Sequence, residues 1–450
     1  MASAPPDRDS DRSASSSPAD DGEGSLPPSG RFDRFRRLAG LGAQLGVDAL
    51  RGGARRLTGG EAELLSRGTA EKLVATLGDL KGAAMKLGQM AAMDPDLLGP
   101  EVRQVLARLQ NQAPAMAYAQ VARVVEEELG APPERLFAHF ERAPFAAASL
   151  GQVHRARLED GREVAVKVQY PGVRQSLQGD LDNLGLVVKT VSLAGKGLDG
   201  SAYYREVCQE LLLELDYRRE AELARAFAAS VERLPDLVVP GVVDARSAER
   251  VLTLELLPGP TLKDWVPTRP PAVERFRVSR QLVRAIYGPF FLEGLIHADP
   301  HPGNFLVLPD GRLGVLDFGS IKRFSPAFVQ ANRTLFLQAL RFEARDALSL
   351  CRAVGFTVEL PEAEAAAFLL EILDIAGRPW RTDAYDYARC EINADLRRHF
   401  TKNAAKALKV RPPPEAVLFL RATGGLGQNL RLIEAAGDFR RVFQEVADLL

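Results

Sequence analysis

Cysteine is scarce in this 450-residue chain: Cys208, Cys351 and Cys390 lie far apart and form no CxxC pair. That excludes a disulfide framework and a zinc ribbon, and it fits a reducing compartment. Histidine is scarce too, at five residues with no HExxH pair, so zinc hydrolysis has no ligand set. No apolar run reaches the ~18 residues of a membrane-crossing helix, so no transmembrane helix is expected. Neither sign of charge dominates. Lys and Arg total 58 against 59 Asp and Glu, a formal net charge of -1, which argues against bulk electrostatic binding of nucleic acid. The N-terminus lacks the apolar core of a signal peptide, and Asp7, Asp9, Asp11, Asp20, Asp21 and Glu23 are out of place in an organelle transit peptide. The expected location is the cytosol, or a membrane face reached from it.

What is present is an ordinary globular balance, 46% hydrophobic and 26% charged, sufficient for a sizeable core. At ~150 residues per domain, the length predicts two or three domains or one two-lobed domain. Residues 1–30 are Ser, Pro, Asp and Gly with almost nothing to bury, and read as a disordered tail. Beyond them Phe32, Phe35, Leu38, Leu41 and Leu45 recur at helical spacing among many arginines. Such a basic amphipathic stretch suits an anionic bilayer or the protein's own surface. Gly40, Gly42 and Gly46 weaken it as a free-standing helix and favour the second.

Residues 61–140 read as helices, at 71–93, 100–113 and 118–130. The period then changes. Stretches 145–158 and 163–169 alternate as strands around the turn Glu159-Asp160-Gly161-Arg162. Helices are expected over 174–232 and strands over 238–244 and 251–257. Helices dominate thereafter, interrupted at 305–308 and 313–316.

Three signals carry chemistry. Val164-Ala165-Val166-Lys167 ends a strand in a lysine, which in kinases holds the α- and β-phosphates of ATP and pairs with a helix glutamate. Alone, such a lysine is usually just an exposed charge. His297-Ala298-Asp299-Pro300-His301-Pro302-Gly303-Asn304 has the H-x-D-x-x-x-x-N spacing of a kinase catalytic loop. Its aspartate would receive or orient the proton of the attacking hydroxyl, and its asparagine would hold a magnesium ion. An apolar strand then ends in Asp317-Phe318-Gly319, whose carboxylate would hold the Mg²⁺ that bridges the β- and γ-phosphates. Each signal recurs by chance; the three in order, each in its strand or loop context, do not. Glu210, Glu214 and Glu220 are candidates for the partner of Lys167, and spacing does not rank them. The glycine-rich loop of protein kinases is missing. Its place reads Ala146-Ala147-Ala148-Ser149-Leu150-Gly151, and no A-P-E follows Asp317. Docking of a protein substrate is therefore not expected.

These residues resemble the UbiB-type (AarF/ADCK) atypical kinases over roughly 31–440. The resemblance is carried by 80–90 with its K-x-G-Q, by 144–154, by 164–173 and by 214–221. It implies that Lys86, Gly88 and Gln89 belong to a helix folded over the peptide-substrate site. It implies that Glu214 and Asp216 form the E-x-D motif facing that helix, with a Lys86–Glu214 ion pair as one pairing. Glu220 becomes the partner of Lys167. Ala146, Ala147, Ala148 and Ser149 become the nucleotide loop, and Glu255 lies where a hinge to the adenine would run. Asp299, Asn304 and Asp317 keep their kinase roles.

The expected fold is a protein-kinase-like, two-lobed α+β domain. It comprises a tail (1–30), a helical extension (31–140), an N-lobe with inserted helices (141–260) and a helical C-lobe (261–450). The expected cofactors are ATP and Mg²⁺. The resemblance implies support of isoprenoid quinone (ubiquinone) biosynthesis or membrane lipid homeostasis, with quinone-biosynthesis enzymes as partners and peripheral membrane contact through 31–58. Two alternatives remain: a nucleotide-gated scaffold without turnover, and a small-molecule phosphotransferase.

Overall fold

The computed structural model describes residues 116–148, 150–175, 177–179, 181, 212–341 and 346–450. The expected tail at 1–30, the arginine-rich helix at 31–58, the helices at 71–93 and 100–113, and most of the inserted segment lie outside the described residues.

The N-lobe begins with α1 (Tyr118–Leu129), which buries Val121, Val124 and Val125 and ends at Gly130 in the left-handed region, φ 79°. Strands β1 (His139–Phe140), β2 (Ala146–Ala148), β3 (Gly151–Arg157) and β4 (Glu163–Gln169) follow. Helix α2 (Tyr217–Ser230), strand β5 (Leu237–Val238) and strand β6 (Val251–Glu255) complete this part. A five-stranded antiparallel sheet runs β1-β3-β4-β6, with β2 paired to β3. Val164, Val166 and Val168 on one face of β4 share a core with Met116, the α1 valines and Phe137. The described end of the expected extension, residues 116–140, packs on the sheet, because the apolar stripe of α1 is buried there.

Two strand expectations also change. The run 145–158 is not one strand but two, because Ala148 folds back opposite Gly151. Of 238–244, only Val238 is in a strand, the two-residue Leu237–Val238, which pairs in parallel with a C-lobe strand at Leu313–Gly314. Val242 forms only an isolated bridge to Leu254.

The inner face of β3 is unusually polar. Gln152 Oε1 accepts from the Met116 N–H at 2.7 Å, and the Gln152 amide lies 2.9 Å from Nε2 of His154. His154 Nδ1 lies 2.8 Å from the Glu141 carbonyl, and Phe140 stacks on its ring. A neutral imidazole protonated on Nδ1 satisfies all of these contacts; a second proton would set one donor against another. Burial accordingly holds the His154 pKa below its usual value. Between the two pKa values the unfolded chain binds the extra proton and the native chain does not, so the stabilisation is present above ~6.5 and lost as pH falls. The urea midpoint is expected to drop from pH 7 to pH 5.5, and to drop less in His154→Leu; equal slopes would refute this.

The C-lobe is built around α3 (Ala272–Glu293), whose Leu282, Val283, Ile286 and Phe290 are fully buried. Strand β7 (Leu295–His297) pairs with β10 (Ile321–Arg323), and β8 (Phe305–Val307) pairs with β9 (Leu313–Val315). These two hairpin-like pairs frame the loops that carry Asp299 and Asp317. Helices α4 (Pro326–Leu340), α5 (Ala347–Val354), α6 (Glu362–Ala376) and α7 (Ile392–Lys402) follow. Helices α8 (Pro414–Leu432) and α9 (Phe439–Ala447) return to pack on α3. No helix among the described residues is long and apolar enough to cross a membrane.

Candidate active site

Lys167 projects from β4 opposite Val153 of β3 and Leu252 of β6, with strands on both sides fixing its direction. Its Nζ donates to both oxygens of Glu220, each at 2.9 Å. Glu220 lies in the first turn of α2, which starts where the Asp216 carboxylate accepts from the Arg218 N–H at 3.0 Å. The cap at Asp216 therefore sets the helix register that turns Glu220 inward. Asp317 Oδ1 is 3.8 Å from the same ammonium. The ring of Tyr217 lies 4.9 Å from Nζ, and its hydroxyl is buried without a hydrogen-bond partner. Burial opposes the charge on Lys167, but the carboxylates of Asp317 and Glu220 prevail and hold its pKa well above the ordinary lysine value. Burial raises the pKa of Glu220; Lys167 opposes the rise, and Asp317 and Glu214 add to it.

These groups line a small, solvent-open cleft together with Leu150, Glu214 and Gly319. Next to Leu150, β3 and β4 pack tightly at Gly151, where a Cβ would stand 2.2 Å from the Val168 carbonyl oxygen of the neighbouring strand. Asp317 is one of three described non-glycine residues with positive φ, at 59°. Strain of this kind in a loop that bears a cleft carboxylate is held by surrounding structure, here the fully buried Phe318 that follows it.

The catalytic-loop residues form a second cluster tied to the first. Asn304 Nδ2 donates to the Asp299 carbonyl at 2.9 Å and approaches Asp299 Oδ2 at 3.4 Å. That leaves the other amide atom, Oδ1, as the one suited to a cation. Asp299 is 8% exposed, and its Oδ1 is buried without a partner. The Leu316 N–H donates to the Asn304 carbonyl at 2.8 Å, and the Leu316 carbonyl lies 2.9 Å from Nε2 of His297. The residue before Asp317 is thus bonded to both ends of the loop that holds Asp299.

The remaining expected residues divide. Ala146, Ala147 and Ala148 form strand β2, paired to β3. Asp216 caps α2, and the carboxylate of Glu255 turns outward to Arg162 at 3.4 Å and to the Gly241 N–H at 3.3 Å. Lys86, Gln89 and Ser149 lie outside the described residues, and so does the Lys86–Glu214 pairing. Tyr217 was not anticipated, although it stands between the two acids singled out in its helix.

The family described as an ABC1 atypical kinase-like domain matches residues 108–350. The chain is 32% identical to atypical kinase COQ8B, mitochondrial, of Rattus norvegicus over 405 residues, covering 86% of this chain and 75% of that protein. The chain belongs to the ABC1 atypical kinase-like family. Other members are similar to different extents. Atypical kinase COQ8, mitochondrial, of Saccharomyces cerevisiae is 28% identical over 93% of this chain and 85% of its own length. Atypical kinase coq-8, mitochondrial, of Caenorhabditis elegans is 35% identical over 65% of this chain, a match spanning 39% of that protein. Among solved structures, that of the Rv3197–erythromycin complex from Mycobacterium tuberculosis matches with a TM-score of 0.62 at 28% identity. The match covers 84% of this chain and 95% of the other. The family and this likeness agree with the two-lobed, kinase-like α+β fold.

An ABC1-type site would hold ATP and Mg²⁺, and the residues fit both. Lys167 presents a fixed cation in the cleft, and the carboxylate of Asp317 stands beside it. Among the described residues no group of three or more His, Cys, Asp or Glu could hold a metal alone. Asp317 and Asn304 offer carboxylate and amide oxygens of the hard type that Mg²⁺ takes alongside phosphate oxygens.

Proposed function

We propose that this ABC1-family chain binds ATP with Mg²⁺ and hydrolyses it or transfers its γ-phosphoryl group to a small or lipid-like acceptor rather than to a protein. The observation that carries the reading is the assembled triad: Lys167 bonded to both oxygens of Glu220 at 2.9 Å with Asp317 at 3.8 Å. Kinases need this lysine–glutamate pair in place for turnover. Lys167 binds and orients phosphate oxygens, and Asp317 and Asn304 would hold the metal, which supplies charge neutralisation between the phosphates. Asp299 accepts or orients the acceptor's proton through its unpartnered oxygen. Catalysis of this kind is mostly positioning and electrostatics. The family resemblance further supports a role in isoprenoid quinone biosynthesis or membrane lipid homeostasis. Contact with quinone-biosynthesis enzymes, and peripheral contact with a membrane through 31–58, belong to the same proposal.

The test is ADP release by purified full-length chain with anionic liposomes, with and without Mg²⁺. Release that is Mg²⁺-dependent and stops on adding EDTA is expected. Binding of Mg-ATP without any release, across lipid, quinone-precursor and macrolide acceptors, would instead favour a nucleotide-gated scaffold. The macrolide enters the panel because the solved Mycobacterium tuberculosis relative is a complex with erythromycin.

A further inference from the structure

Two features of α8 have no use in its own helix. The first is Asn429, 2% exposed, whose Nδ2 donates to the carbonyl of Pro300 at 2.7 Å. The second is Gly425, one turn earlier, where a Cβ would stand 2.3 Å from Cγ of Pro300. Glycine inside a helix is unfavourable relative to alanine, and here the missing methyl is the space that Pro300 occupies. Both contacts fall on the residue that immediately follows Asp299.

The loop itself supplies few restraints at this point. Pro300 has no N–H to donate. The Asp299 carbonyl is held from within the loop, by Asn304 Nδ2 at 2.9 Å and the His301 N–H at 2.7 Å. The next carbonyl, that of Pro300, is held from outside it, by Asn429. Successive carbonyls are thus fixed by two asparagine amides, one local and one from a helix near the C-terminus. Rotation of the 300–301 peptide would break the second bond and leave a buried amide unpaired, a costly outcome. The family match ends at residue 350, so this restraint lies beyond the matched domain.

We propose that Asn429 and Gly425 are positioning residues for Asp299: α8 clamps Pro300 and so holds the catalytic loop in the geometry for phosphoryl transfer. The kinetic consequence rests on the function proposed above; the structural consequence does not.

The experiment is therefore read in two arms on the full-length chain. In the first, amide hydrogen exchange is followed without nucleotide in wild type, Asn429→Leu and Gly425→Ala. Exchange at His301 and Asn304 is expected to quicken at least tenfold in both variants, while the β3–β4 amides keep their protection. In the second, kcat for ADP release is expected to fall about 10- to 100-fold with the Kd for Mg-ATP changed less than threefold; Asn429→Gln, which keeps the donor, should recover part of kcat. Unchanged loop protection overturns the proposal, and so does protection lost equally throughout the chain. A fall in nucleotide affinity that matches the fall in kcat also overturns it. If wild type shows no turnover, the function proposed above fails and the exchange arm alone decides the clamp. If Asn429→Leu does not fold, Gly425→Ala carries both arms.

Discussion

Asp299→Asn is expected to cut Mg²⁺-dependent ADP release by roughly 10²- to 10⁴-fold, the range typical of losing a positioned proton acceptor, while Mg-ATP binds within about threefold of wild type. The split follows from where the residue sits. Asp299 is in neither the lysine–glutamate pair nor the lining of the cleft around Lys167, so removing its charge leaves the phosphate contacts in place. What the variant loses is the acceptor oxygen, Oδ1, which is buried and has no partner in the resting site. An amide has nearly the same shape and can still face Asn304, so the loop is not expected to collapse. Single-turnover kinetics beside calorimetric ATP binding would check this. Equal loss of binding and turnover would mean that Asp299 shapes the nucleotide site, and wild-type turnover in the variant would remove it from the chemistry.

Much of this site is legible in the sequence, for a physical reason. Lys167, Asp299, Asn304 and Asp317 each act from a short local context, a strand end or a tight loop, and local contexts are written in contiguous residues. Glu220 is legible only by resemblance. Three glutamates on one segment are equivalent by spacing, and what distinguishes Glu220 is the register set by the Asp216 cap. Asp216 was expected to face the helix containing Lys86, which lies outside the described residues; among the described residues its carboxylate accepts from the Arg218 N–H. The alanine-rich run was expected in a hairpin over the nucleotide, and its alanines pair with β3, Ala148 opposite Gly151. The pairing of strand β5 with a C-lobe strand could not be foreseen. Two residues carry no period, and their parallel pairing with β9 joins Leu237 to Leu313, 76 positions further along the chain. Asn429 had no signal at all, since its partner is a backbone carbonyl with no side-chain identity to match.

Lys167→Met is expected to lower unfolding stability by roughly 3–5 kcal/mol at pH 8, the usual consequence of removing one partner from a buried ion pair. The Glu220 side chain is 5% exposed and that of Lys167 16%, so solvent screens the pair little. Without the ammonium, Glu220 and Asp317 face each other across the cleft, and methionine fills the stem's volume without neutralising either. The deficit should depend on pH with a definite sign. Burial already raises the pKa of Glu220 above its ordinary value, with Lys167 as the main opposing influence; removing Lys167 raises it further. A carboxyl whose folded pKa is raised stabilises the native state fully below its unfolded pKa, and that contribution is lost as pH rises through the folded value. The variant should therefore lie closest to wild type near pH 5 and fall away towards pH 8 in urea unfolding. Adding Glu220→Leu should recover much of the loss, because the carboxylate left buried, rather than the missing attraction, dominates it. A deficit that is flat from pH 5 to pH 8, or a double variant no better than the single, would show that the pair is solvated in solution and that β4 and α2 are not locked together through it.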